Sequence, residues 1–167
     1  EYPIFPGTMM KAVRDYFPRD AVLCQDGGNT CLANVHITRI LGPRKFLWTS
    51  DIGHLGTGLP YALGAKLAAE PDQPVFLITG DSAFLFNERE LQVAVESNIP
   101  IVVIVNCDHA WGMEKNSQNR CFGHDKFYIN CNHRKVRHDQ FAKSIGCHHA
   151  YVDHLSQLNP ALDEAVA

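Results

Sequence analysis

The chain has 167 residues, 46% apolar and 20% charged, which suits one domain with a core of useful size. Fifteen basic residues against 18 acidic ones leave a formal net charge of −3, which argues against a nucleic-acid protein built on phosphate contacts. The longest apolar runs, VFLI (75–78) and IPIVVIV (99–105), are too short to cross a bilayer, and EYPIFPGTMM lacks the parts of a secretory signal. A helix is predicted over 8–17 (TMMKAVRDYF), a short strand over 21–25 (AVLCQ), a helix over 30–40 and an extended piece at 45–48 (KFLW). A helix over 58–70 and a strand over 74–79 (PVFLIT) follow, then a helix over 87–97 (NERELQVAVES). Asn87, with Glu90 three residues on, fits a capping box. The β-branched run IPIVVIVN (99–106) predicts a strand covered on both faces. The tail predicts a helix over 139–146, a strand at 148–152 (HHAYV) and a helix in LSQLNPALDEAVA (155–167). Strand and helix alternate throughout, so the expected class is α/β, a doubly wound parallel sheet with helices on both faces.

This alternation puts all strand-to-helix loops at one sheet edge. The helix-to-strand loops (FPRD, GPRK, EPDQP, SNIP) carry prolines and charges. The strand-to-helix loops QDGGNT (25–30), TSDIGHLGTG (49–58), TGDSAF (79–84) and NCDHAWGM (106–113) carry glycines and aspartates ahead of helix N-termini. Parallel sheets bind ligands at that carboxyl edge, and Gly-rich helix starts suit phosphates. Asp81 follows one strand and Asp108 the next, with room between for a helix, a turn and a returning strand. If the strands are neighbours, two carboxylates meet beside phosphate-binding loops, the donor set Mg²⁺ takes. Taken singly, each aspartate would more often be a helix cap or a turn residue.

GDSAFLFNERELQVAVESNIPIVVIVNCDHAWGM (80–113) resembles the thiamin-diphosphate motif of the thiamin-dependent enzymes, GDG followed a helix and a strand later by NN. The likeness is nearest to the C-terminal diphosphate-binding domain of the acetolactate synthase and 2-oxoacid decarboxylase group, where the pattern runs GDG-x-F…EL-x-TA…NLPV…NN…GM. SDIGHLGTGLPYALGAKLA (50–68) is similar to that group's S-G-x-G-x-M-G-x-G-L-P-x-A-x-G-A segment, and DGGNT (26–30) to the loop after its first strand. The resemblance spans almost the whole chain and implies the thiamin-diphosphate-binding fold, with thiamin diphosphate and Mg²⁺ as cofactors. It assigns Asp81 and Asp108 as side-chain ligands of Mg²⁺ and the Ala110 backbone carbonyl as a third. Gly80 opens the motif; Ser82, Ala83, Asn29 and Thr30 match residues at the diphosphate. Gly53 and Leu55 match residues under the aminopyrimidine and thiazolium, with Leu55 the bulky prop of the bent cofactor. Trp111, Gly112 and Met113 match the stretch closing over the diphosphate. His54, between Gly53 and Leu55, is a candidate acid/base group facing substrate, with a packing role as its alternative.

Three positions depart from the pattern. GDG reads GDS, so Ser82 adds a hydroxyl where the motif has glycine. NN reads Cys107–Asp108, giving a metal two carboxylates; the added charge favours a divalent cation and opposes the diphosphate. Ala110 replaces larger residues, without consequence if only its carbonyl is used. In this family the glutamate that activates the aminopyrimidine lies on a separate pyrimidine-binding domain, and nothing here resembles that domain. The expectation is therefore one domain over 1–167, a fragment or subunit of a larger enzyme. It would form half the active site of a 2-oxoacid decarboxylase or acetolactate synthase-like carboligase or lyase, inactive alone. Its partner would be a pyrimidine-binding domain in the same or another subunit of a homo-oligomer, with no nucleic-acid or membrane partner.

The remaining features carry blander expectations. Cys121, His124, Cys131, His133 and His138 do not fit tetrahedral zinc spacing, so a polar loop beside the active site is favoured. Cys24 and Cys31 are expected to be small core residues, and the six cysteines lack framework spacing, which suggests a reducing, cytoplasmic setting. His109 is expected to point away from Asp81; Leu67, Leu91 and Val95 are expected in the core; Trp111 is expected as a lid. Two alternatives stand beside the thiamin reading. A dinucleotide-binding domain is disfavoured because GHLGTG (53–58) does not space its glycines as GxGxxG and only Asp72, in a turn, sits where a ribose-binding acid would. A non-catalytic module retaining the fold is disfavoured by the intact Asp81 and glycine loops.

Overall fold

The structure is a computed structural model and describes residues 4–49, 51–123 and 129–167. Four strands, β1 (Val22–Asp26), β2 (Phe46–Leu47), β3 (Val75–Gly80) and β4 (Val102–Asn106), form one parallel sheet in the order β2-β1-β3-β4. The helices among the described residues are α1 (Pro6–Tyr16), α2 (Asn29–Ile37), α3 (Gly58–Ala68), α4 (Asp81–Phe84), α5 (Leu91–Glu96), α6 (Gly112–Phe122), α7 (His138–Ser144) and α8 (Leu158–Val166). Short 3₁₀ turns at Glu88–Glu90 and Leu155–Gln157 precede α5 and α8. None of the described helices is long and apolar enough to cross a membrane.

The two central strands explain their own sequences. Side chains alternate across a strand, so a strand covered on both faces is apolar along most of its length, as VLC (22–24) and VFLI (75–78) are. Val22, Cys24, Val75 and Leu77 pack on Leu59, Ala62 and Leu63 of α3 and on Leu91 and Ala94 of α5. Leu23, Phe76 and Ile78 face the other way, onto Met9, Met10 and Val13 of α1 and Leu158 and Leu162 of α8. Phe17 stacks flat on Phe76 at 4.2 Å, and Arg14, buried beside that ring, donates to the Phe17 and Pro18 carbonyls that close α1. Proline at the first position of α1 costs no hydrogen bond, and Pro18 follows its end.

Several expectations need correction. β4 packs on both faces, through Val102 and Ile104 to one cluster and Val103 and Val105 to the other. It nevertheless ends the described sheet, so all five residues are only half-buried. The segment 148–152 forms no regular element and pairs with no described strand. The predicted helix at 87–97 is a 3₁₀ turn running into α5, and Asn87 makes no cap. Its Nδ2 donates instead to the Gly56 carbonyl, a tertiary partner that outcompetes the local one. A reciprocal capping box forms at His154 and Gln157. Leu91 is buried, but Leu67 and Val95 lie in the last turns of their helices, 72% and 43% exposed. α6 was not predicted; it buries no residue and so shows no apolar stripe.

Candidate functional site

From β1 the chain crosses to β2 on one side, then returns past β1 to β3 and goes on to β4. The loops after β1 and β3 therefore leave in opposite directions, and between them opens the crevice typical of a strand-order reversal. A cleft of about 290 Å³ lies there, at the carboxyl edge. Every predicted contact residue lines it: Asn29 and Thr30 at the start of α2, Gly53, His54 and Leu55 before α3, Gly80, Asp81, Ser82 and Ala83 at the end of β3, and Asp108, Ala110, Trp111, Gly112 and Met113 beyond β4.

The glycines set how closely these loops approach. A Cβ on Gly112 would sit 2.5 Å from Asp108 Oδ2 and 2.7 Å from Asn29 Nδ2. One on Gly27, whose φ is +109°, would sit 3.0 Å from the Gly80 nitrogen, so the β1 and β3 ends meet backbone to backbone. Thr30 Oγ1 then accepts from Asn106 Nδ2 (3.2 Å), tying the start of α2 to the end of β4.

Asp81 is 5% exposed and forms the centre of the site. Its Oδ1 accepts from the Ser82 backbone N–H (2.7 Å) and its Oδ2 from that of His109 (2.8 Å). β3 and β4 pair Gly80 with Asn106, so Asp81 and Asp108 emerge side by side. Asp108 Oδ1 accepts from the Ala110 N–H (3.0 Å), and its acidity is weakened, first by desolvation and then by the charge of Asp81. Two carboxylates that repel each other in a cleft, with a carbonyl and a hydroxyl alongside, are an all-oxygen donor set suited to a hard divalent cation. The residues present fit such an ion together with a phosphate group.

His109 does not point away as expected. Its left-handed backbone, φ +58°, folds the chain back, and its ring Nδ1 lies 3.9 Å from Asp81 Oδ2. His54 lines the cleft with Nδ1 sealed from solvent and, among the described residues, without a hydrogen-bond partner. Trp111 is half-buried and stands edge-on to Phe86 and His133. Cys107 adjoins both carboxylates, but desolvation first, then the charges of Asp81 and Asp108, push its thiol up to about 12, far from a thiolate nucleophile. Burial does the same to the core thiols Cys24 and Cys31.

Two site residues escaped the sequence reading. Asp26 is buried at the end of β1; its oxygens accept from the Gly27 and Gly58 N–H groups, both at 2.7 Å, which fastens α3 over the cleft. The aspartate before two glycines was the available signal. His133 was grouped with the loop cysteines and histidines, and its Nε2 lies 2.8 Å from Ser82 Oγ. The rest of that group disperses: Cys131 is buried against Gln118, His138 pairs with Glu88 at 3.1 Å, and His124 lies outside the described residues. Among the described residues no three His, Cys, Asp or Glu side chains form a metal cluster.

The family model described as the thiamine pyrophosphate enzyme C-terminal TPP binding domain matches residues 26–167. The chain belongs to this family. Its four-stranded parallel sheet flanked by helices is the TPP-binding domain fold, and that assignment replaces the dinucleotide-binding alternative. The TPP-binding domain is 31% identical to a probable acetolactate synthase large subunit of Methanococcus aeolicus, over 99% of this chain and 28% of that protein. It is 29% identical to a sulfoacetaldehyde acetyltransferase of Alcaligenes xylosoxydans xylosoxydans, over 98% of this chain and 26% of the relative. It is also 29% identical to a 2-hydroxyacyl-CoA lyase 2 of Caenorhabditis elegans, over 97% and 25%. The chain thus spans between a quarter and 30% of the length of such relatives.

Proposed function

We propose that this domain binds the diphosphate of thiamin diphosphate through a Mg²⁺ ion held by Asp81, Asp108 and the Ala110 carbonyl, as half the active site of a carboligase or lyase acting on 2-oxo acids. The observation that carries this reading is the pairing of the Asp81 and Asp108 carboxylates on adjacent strand ends beside three glycine-bearing loops. What thiamin diphosphate supplies when bound is a stabilised carbanion for reaction at a 2-oxo acid carbonyl. The chain's own residues bind and orient. Asp81, fixed by two backbone N–H groups, would hold the cation without reorganising. Ser82, Ala83, Asn29 and Thr30 would face the diphosphate, Leu55 would prop the cofactor, and Trp111 with Met113 would cover it, all from the lining of one cleft. The unsatisfied Nδ1 of His54 supports a polar role for this ring at the substrate.

A synthase, an acetyltransferase and a lyase among the relatives support the broad reaction class, and the short coverage supports a larger enzyme. The activating glutamate would come from a pyrimidine-binding domain of the same or a second subunit, within a homo-oligomer. Leu32 at the cleft and Ile52 beside Gly53, 84% exposed, offer the apolar surface it would cover. Six free thiols suit a reducing, intracellular setting.

Calorimetric titration with thiamin diphosphate is expected to show binding only when Mg²⁺ is present, loss of binding with EDTA, and none with NAD. Asp81→Ala should lose the metal-dependent part, and no decarboxylase turnover is expected from this chain alone. Binding untouched by EDTA, or unchanged in Asp81→Ala, refutes the ligand assignment. No binding under any condition would instead favour a non-catalytic module.

A further inference from the structure

We propose that His133 is a positioning residue of the cleft, acting through Ser82 to hold the Ala110 carbonyl where a divalent cation meets it; this rests on the function proposed above. Ser82 Oγ lies 2.8 Å from the Ala110 carbonyl oxygen and 2.8 Å from His133 Nε2. A hydroxyl has one proton, and a carbonyl oxygen has none to offer. The Ser82 proton is therefore directed at Ala110, since two oxygens at that distance without a hydrogen between them would repel. Ser82 then presents a lone pair to His133, and Nε2 must carry the ring hydrogen. The result is a directed chain, His133 Nε2–H to Ser82 Oγ–H to the Ala110 carbonyl. A carbonyl oxygen has two lone pairs, so one remains for a cation.

The histidine is held independently of that chain. Asn132 forms an antiparallel bridge with Ala110, the Trp111 N–H donates to the Cys131 carbonyl (2.8 Å), and the His133 N–H donates to the His109 carbonyl (2.7 Å). The imidazole stands edge-on to Trp111 at 5.4 Å. From α6, Gln118 Oε1 accepts from the Ile129 N–H (3.1 Å), anchoring the segment that leads to it. The serine that departs from the GDG pattern is thus the atom joining this segment to the loop that carries Asp108 and Ala110. A glycine there could neither donate to the carbonyl nor accept from the ring.

Two measurements test the role. Nitrogen NMR of the ring-labelled protein should report His133 as the Nε2–H tautomer; an Nδ1–H tautomer overturns the chain. Mn²⁺ retention in the presence of thiamin diphosphate, read by electron paramagnetic resonance, tests the consequence. His133→Phe keeps the ring edge on Trp111 but has no donor, and should weaken Mn²⁺ retention about fivefold, the share of one hydrogen bond. His133→Gln supplies an amide N–H and should restore retention to within about twofold, which a purely structural ring would not allow. Added to Ser82→Gly, His133→Phe should change nothing further, because the link is already gone. Equal retention by wild type and His133→Phe, no rescue by His133→Gln, or additive effects with Ser82→Gly each overturn this role alone. A wild-type protein that retains no Mn²⁺ overturns both this role and the proposed function.

Discussion

Gly58 and Gly64 stand in the same helix, and alanine at each should act in opposite directions. A Cβ on Gly58 would lie 2.6 Å from Asp26 Cβ and 2.7 Å from Leu77 Cδ1, inside a packed core. A Cβ on Gly64 would meet nothing within 4 Å. Alanine is preferred over glycine in a helix interior by about 1 kcal/mol, so Gly64→Ala should stabilise by about 0.5–1 kcal/mol. Gly58→Ala gains less at the first helical position and must overpack the core, which costs about 1–3 kcal/mol. If relief comes by moving Asp26, the buried bond from the Gly58 N–H at 2.7 Å is disturbed as well. A charge-assisted bond of that kind contributes about 1.5–3 kcal/mol. The net expectation for Gly58→Ala is destabilisation by about 2 kcal/mol, some 3 kcal/mol below Gly64→Ala. Urea unfolding followed by circular dichroism reads this directly, because slopes of about 1–3 kcal/mol per molar convert the gap into midpoints at least about 1 M apart. If Gly58→Ala is as stable as Gly64→Ala, the claim that α3 seats directly on Asp26 and Leu77 is wrong.

Other substitutions separate binding from folding. Gly112→Ala directs its Cβ at the movable ends of Asp108 and Asn29, so the urea midpoint should shift little. Mg²⁺-dependent thiamin diphosphate binding should weaken at least about tenfold, and equal loss of both would argue against the cleft geometry. Asp108 holds its proton above the ordinary value of 3.8, so the folded protein binds that proton more tightly than the unfolded chain does. Its ionisation therefore lowers stability as pH rises from 3.8 through the raised value, and the loss persists above it. Asp108→Asn should accordingly gain stability over wild type with rising pH and show no gain at the acid end. A pH-independent difference in urea midpoints contradicts this reading. Asn87→Ala removes the tie to the Gly56 carbonyl, which should speed amide exchange in the 53–57 loop while leaving β1 and β3 protected. Unchanged exchange there would show that the tie does not order the loop.

The resemblance in four loops carried most of the site, because glycine and aspartate are placed there by local backbone needs that a sequence displays directly. Gly80 and Asp81 were legible for that reason, and every site residue assigned from the resemblance lines one cleft. α6 was invisible because it buries nothing, and a helix without an apolar stripe gives periodicity nothing to detect. Partners distant in sequence were equally hidden. Asn87 had a local capping role open to it and took the Gly56 carbonyl instead; His133 reaches Ser82 across 51 positions.

By itself, then, the sequence determined the parallel α/β class, three of the four strands closely and the edge at which the cleft opens. Side-chain alternation and turn chemistry are properties of neighbouring residues. Tertiary structure alone decided that β4 ends the described sheet and that 148–152 pairs with no described strand. It also decided that His109 turns toward Asp81 and that Asp26 holds α3. Those outcomes depend on which of several compatible partners arrives in space, and a β-branched run reads the same at the centre of a sheet as at its edge.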